Sequence, residues 1–258
     1  MTAPFRPEPA EPQSTVPTWT FEWARRLLPP SGEYTWVYLW GRPLRYMHWV
    51  SAACIVTLAA TGLFIGRPYF VPSGDPLSAY LMGTVRFVHF LAAAVLVMTG
   101  IVRVYWLFMG NRYERFRALF PFTRRDMKNL VRMTKFYLMI EPGRAPRYLG
   151  HNPLQQLSYT GVYLLGTVMV LTGFAMYGQS NPGGFIYTMF NWVNPLLGGA
   201  PIVRFVHHVL TWAFLIFIPI HIYLAMRSDA LERTGTVSSI ISGGRFVSSS
   251  EEYIDAES

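Results

Sequence analysis

Residues 203–226, VRFVHHVLTWAFLIFIPIHIYLAM, are apolar enough to lie in lipid and long enough to cross it, yet they carry three histidines. Few folds accept that combination, because an imidazole in hydrocarbon needs a partner. Three further runs have the same apolar character: 46–66, 84–109 and 155–178. At about 1.5 Å per residue each can span the ~30 Å hydrocarbon layer. Charged residues make up only 14% of the chain and apolar residues 52%. The expected fold is therefore all-α and integral to the membrane, a four-transmembrane-helix bundle.

The basic residues orient the bundle. Ten Lys or Arg fall between the second and third spans, in residues 110–152. The 67–83 connection has one, Arg67, and the 179–202 connection has none. Positive charge marks the cytoplasmic side, so loop 110–152 and both termini are expected in the cytoplasm. The same distribution assigns the net charge of +8 to anionic lipid and leaves no reason to invoke nucleic acid. Within that loop, Thr123 and Asp126 have capping-box spacing and Met127, Leu130, Val131, Thr134 and Leu138 follow helical periodicity. The spacing predicts an interfacial helix over about 123–140, with a solvated basic loop as the alternative. Residues 1–33 read as a Pro-rich, mostly disordered peripheral cytoplasmic leader, 34–230 as the membrane domain and 231–258 as a cytoplasmic tail. Residues 1–44 are not expected to form a secretory signal, since proline and charge precede the first apolar run. Cys54, the one cysteine, lies in a span and excludes an internal disulfide, a cysteine-held iron–sulfur cluster and a thioether-linked haem.

His207 and His221 are fourteen residues apart, about 40° short of four helical turns and about 21 Å along the axis. One helix face thus offers two imidazoles near opposite membrane surfaces, while His208 points about 140° away from His221. In the first span His48 is shallow on the cytoplasmic side, and in the second His89 is shallow on the outer side. Depth therefore pairs His48 with His221 and His89 with His207. Two neutral imidazoles from different helices suit haem iron, with non-covalent haem b filling the space between them. Structural zinc would require four nitrogen or sulfur ligands at one level. A haem-free transporter relaying protons through the histidines is the reading from another class.

Arg45, Arg86 and Arg204 each precede one of these histidines by three residues, on the same face and one turn nearer the surface. They are candidates for haem propionates, with snorkelling at a span end as the alternative. Gly62 repeats the fourteen-residue spacing after His48, and Gly161, Gly166 and Gly173 thin the third span, which close helix packing also explains. Two haems across a bilayer form an electron wire that needs an acceptor, and quinone is the natural lipid-soluble one. His151, Asn152 and Gln155, in GHNPLQQ at the start of the third span, are the candidates to bind it. Asn-Pro also starts helices.

The runs VYLWGRPLRYMHWVSAACIVTLAATGLFIG and GTVRFVHFLAAAVLVMTGIVRVYW, the HNP start of span three, the HH pair and the tail ERTGTVSSIISGGRF resemble the b-type cytochrome subunit of membrane-bound nickel–iron uptake hydrogenases. The resemblance covers roughly residues 34–247, and it extends to the dihaem gamma subunits of formate dehydrogenases. It implies two haems b, with His48, His89, His207 and His221 as axial ligands and His208 not among them. It implies a multi-pass protein of the bacterial inner membrane. It would dock on the iron–sulfur small subunit of a hydrogenase, and through it on the large subunit. Electrons from hydrogen would pass through the outer and then the inner haem to membrane quinone. The chain would be no enzyme by itself, the hydrogen chemistry residing on another subunit. A formate dehydrogenase or thiosulfate reductase donor is the alternative within this reading. The Pro-rich leader and the GGRF tail depart from the family pattern, outside the haem core.

Overall fold

The computed structural model describes residues 34–70, 80–120, 123–137, 140, 146–232, 234–248 and 252–255. The expected leader, 1–33, lies outside the described residues. Four long helices carry the four apolar runs: α1 (Arg42–Gly66), α2 (Leu81–Met109), α5 (Pro153–Gly178) and α8 (Ala200–Glu232). All four are long and apolar enough to cross a bilayer. Short helices join them: α3 (Phe116–Leu119), α4 (Arg124–Tyr137), α6 (Phe185–Phe190) and α7 (Val193–Leu197). The chain closes with α9 (Thr236–Ser242) and a strand, β2 (Gly244–Ser248), that pairs with β1 (Tyr34–Tyr38).

Each long helix starts a few residues before its apolar run does. In α1 and α5 the opening turn is polar but well terminated. Pro43 and Pro153 sit in those turns, where a missing N–H costs nothing. Asn152 caps α5: its side chain accepts from Gln155 N at 3.0 Å, and Gln155 Oε1 accepts from Asn152 N at 3.0 Å. Gly41, at the α1 N-cap, has no side chain to contribute, and the Glu114 carboxylate accepts its N–H instead. Thr123 and Asp126 cap α4 reciprocally, at 3.0 Å and 3.3 Å. The expected helix over about 123–140 is thus observed over Arg124–Tyr137.

The surface is inverted relative to a soluble bundle. In α2 the buried residue is a charge, Arg103, while Phe87, Leu91, Met98 and Ile101 point outward. Apolar surface of that extent is stable only against lipid. Arg103 is satisfied internally: Nε donates to the Tyr163 hydroxyl at 3.1 Å, and Nη1 and Nη2 donate to the Glu114 carbonyl at 3.4 and 3.3 Å.

The two ends of the bundle differ. At the end bearing loop 110–152, here the basic end, β1 pairs antiparallel with β2 in the register Tyr34↔Ser248 to Tyr38↔Gly244. Gly243 adopts φ +97°, and a side chain there would strike Tyr38 and the Trp40 carbonyl. Its own carbonyl accepts from both Leu39 N and Trp40 N at 2.8 Å. Leu39, Trp40, Tyr113, Leu149 and Tyr253 form one buried cluster. Asp255 accepts from Leu149 N at 2.6 Å and Gly150 N at 2.7 Å. The chain's first and last described segments therefore clamp the loop that leads into α5. At the far end, α6 and α7 fold back so that Ala175, Val193 and Val203 close a second cluster.

Candidate functional site

His48 lies in the second turn of α1, and His221 lies two residues beyond Pro219 in α8. Their ring centres are 6.4 Å apart with planes at 47°. Phe217 stacks on His221 at 5.5 Å, and Trp49 meets His48 edge-on at 5.1 Å. His48 Nδ1 is buried with no hydrogen-bond partner among the described residues. Among the described residues no group of three or more His, Cys, Asp or Glu gathers to hold a metal. Two imidazoles on one metal, with bonds of about 2.0–2.1 Å and about 1.1 Å from nitrogen to ring centre, have centres roughly 6.3 Å apart. The spacing of His48 and His221 is of that size, so this pair fits a group held between two helices by its metal.

His89 and His207 lie toward the far end, near the starts of α2 and α8. Each ring is anchored from a neighbouring helix. Thr61 Oγ1 of α1 is 2.9 Å from His89 Nδ1, and Thr172 Oγ1 of α5 is 2.9 Å from His207 Nδ1. The next residue in each case is glycine, and a methyl group on Gly62 or Gly173 would sit 3.3 Å from the Cε1 of the same imidazole. Backbone carbonyls also face the rings, Leu58 toward His89 and Met169 toward His207, and with Nδ1 engaged Nε2 of each ring is the nitrogen available to a metal. The two sets use all four long helices.

The other sequence candidates fall in different surroundings. Arg45 donates from Nη1 to the Ile241 carbonyl near the end of α9, and its Nε is buried without a partner among the described residues. Arg86 and Arg204 are exposed, one turn ahead of His89 and His207. His208 points away from the paired rings. It packs on Gly66, whose added methyl would meet it at 3.5 Å, and accepts from Trp212 Nε1 at 3.3 Å. His151 is stacked on Trp40 at 4.7 Å and meets Tyr159 edge-on at 4.8 Å. Burial first, then the charges of Arg103 and Arg245, push its pKa down to about 3, so it is neutral at physiological pH. Asn152 and Gln155 lie beside it with both side-chain carbonyls engaged in the α5 cap.

The sequence pattern of a family described as prokaryotic cytochrome b561 matches residues 39–243. A relative from Cupriavidus necator, named a probable Ni/Fe-hydrogenase B-type cytochrome subunit, is 39% identical over 211 residues, 81% of this chain and 86% of the relative. One from Azotobacter vinelandii with the same name is 40% identical over 215 residues, 82% of this chain and 89% of the relative. One from Escherichia coli K12, named a probable Ni/Fe-hydrogenase 1 B-type cytochrome subunit, is 30% identical over 215 residues, 81% and 90% of the two chains.

Proposed function

The chain belongs to the prokaryotic cytochrome b561 family, and on that premise we propose that it is the dihaem, membrane-embedded electron-transfer subunit of a nickel–iron hydrogenase and delivers electrons to membrane quinone. The observation that carries this reading is the approach of His48 and His221, 6.4 Å between ring centres on the first and fourth spans. The names of the relatives support the hydrogenase partner.

When bound, haem b with two imidazole ligands supplies one-electron chemistry and has no coordination position left open. His48 and His221 would hold one haem near the basic end, and His89 and His207 the other near the far end. Arg86 and Arg204, exposed beside their histidines, would offer guanidinium groups to propionates there, and Arg45 would do so at the basic end. The basic loop orients that end toward the cytoplasm, so the iron–sulfur small subunit of the hydrogenase would dock at the far end. Quinone would be reduced near the basic end. There the amide N–H groups of Asn152 and Gln155 and the neutral imidazole of His151 would address its carbonyl oxygens. Its bacterial setting would be the inner membrane.

The test is a reduced-minus-oxidised spectrum of membranes containing the complex. Hydrogen should raise a sharp α band, oxidised quinone should abolish it, and His221→Ala should block quinone reduction. Reduction by formate and not by hydrogen would assign the donor to a formate dehydrogenase.

A further inference from the structure

We propose that Thr61 and Thr172 are positioning residues that fix the tautomer, ring orientation and donor strength of His89 and His207, and so help set the midpoint potential of the haem at the far end. The proposal rests on His89 and His207 being ligands and goes beyond that assignment.

The direction of each bond follows from where the hydroxyl proton is spent. Thr61 Oγ1 is 2.6 Å from the Thr57 carbonyl and 3.3 Å from the Leu58 carbonyl. A carbonyl can only accept, so the hydroxyl hydrogen goes to Thr57 and the oxygen presents a lone pair to His89 Nδ1 at 2.9 Å. Nδ1 must then bring the hydrogen, which leaves Nε2 bare, as metal ligation requires. Thr172 repeats the arrangement. Its Oγ1 donates to the Val168 carbonyl at 2.8 Å, with Met169 at 3.0 Å, and accepts from His207 Nδ1 at 2.9 Å. A hydroxyl that already donates is a stronger acceptor.

A threonine in a membrane helix commonly bonds its own preceding turn and does nothing further. Two features separate Thr61 and Thr172 from that background. Each is followed by a glycine whose missing side chain lets the same imidazole approach, so Thr-Gly forms a seat with an acceptor and a flat wall. Each also lies on a helix that contributes no histidine to the far-end pair. Thr99-Gly100 in α2 is an internal contrast: Thr99 bonds the Val95 carbonyl at 2.8 Å, and no described residue lies within 4 Å of a methyl on Gly100. At the basic end, by contrast, His48 Nδ1 has no hydrogen-bond partner among the described residues.

An acceptor on Nδ1–H makes an imidazole a stronger electron donor to its metal and favours the oxidised state. Removing the hydroxyl acceptor, which leaves the Leu58 or Met169 carbonyl facing the ring, should raise the potential of that one haem. The experiment is a spectroelectrochemical titration of the purified complex carrying T61V, T172V, T61S, T172S or T99V, with haem content measured alongside. Either valine variant should keep two haems, shift one midpoint potential upward, the same one in both, and leave the other in place. Either serine variant and T99V should match wild type. Unmoved potentials in T61V and T172V with both haems bound would overturn the proposal, as would an equal shift in T99V. If a valine variant loses a haem, the matching serine variant decides. Retention at the wild-type potential supports the hydroxyl, and loss in both refutes it. Fewer than two haems in wild type, or two retained in His89→Ala or His207→Ala, would instead fault the ligand assignment.

Discussion

Glu114 is the residue whose loss should loosen the basic end most. Its side chain is 1% exposed, and its carboxylate collects three donors from separate segments. Oε1 accepts from Gly41 N, and Oε2 accepts from Trp106 Nε1 at 2.8 Å and Asn111 N at 3.2 Å. It thereby caps α1 from the loop after α2, where Gly41 offers nothing of its own. Glu114→Ala leaves three donors facing a cavity. At about 1–3 kcal/mol per orphaned group, and with water relieving the most accessible of them, the cost should be about 3–5 kcal/mol. Glu114→Gln should be no milder than about 2–4 kcal/mol, because an amide keeps one acceptor and turns its NH₂ toward the remaining donors. For a chain of this size that lowers the thermal midpoint by roughly 10 °C. The assay is melting of the detergent-purified protein, followed by tryptophan fluorescence and Soret absorbance. The start of α1 carries Arg45 and His48, so Soret loss should begin with the basic-end haem. Melting of both variants within about 2 °C of wild type would refute the claim that this carboxylate ties the three segments.

The remaining predictions concern single residues. His151 is neutral in the folded protein down to about 3 but protonates near 6.5 when unfolded. It therefore contributes stability above pH 6.5 that is lost as pH falls toward 3, by up to about 1.4 kcal/mol per unit. Melting curves of His151→Phe should accordingly be less acid-sensitive between about pH 7 and pH 5, and parallel curves would contradict this. Asp255→Ala removes the acceptor of two backbone N–H groups and should cost about 2–3 kcal/mol. Hydrogen exchange should then quicken at residues 149–150, and unchanged protection there would refute the clamp. His208→Ala should keep both haems by pyridine haemochrome analysis while His207→Ala loses one, and the reverse result would exchange their roles.

The four spans and the all-α membrane fold were legible because a continuous apolar run of about twenty residues or more is stable in few settings besides a bilayer. The start of α1 was not, since Arg42–Arg45 is a polar turn that capping, not hydropathy, makes helical. The β1–β2 ribbon had no local signal: YTWVY and GRFVS lie at opposite ends of the chain, and only the completed bundle brings them together. The fourteen-residue interval in α8 and the run directions of the spans matched His48 with His221 by depth. Thr61 and Thr172 carried no signal of their own, because a threonine in an apolar run reads as bonded to its own helix. The repeated Thr-Gly dipeptide was the available clue, but which histidine each one meets depends on helix packing. Asn152 and Gln155 invited two readings, a ligand site and a helix start. The helix start has formed, and it uses their carbonyl oxygens while leaving their N–H groups.

The central claim is that four imidazoles, paired at two depths, hold two haems. Pyridine haemochrome analysis of the purified chain tests it most directly, in wild type and in single alanine variants of His48, His89, His207 and His221. The account predicts two haems b per chain in wild type and the loss of at least one in each variant. One haem or none in wild type, or two in any of the four variants, would contradict it.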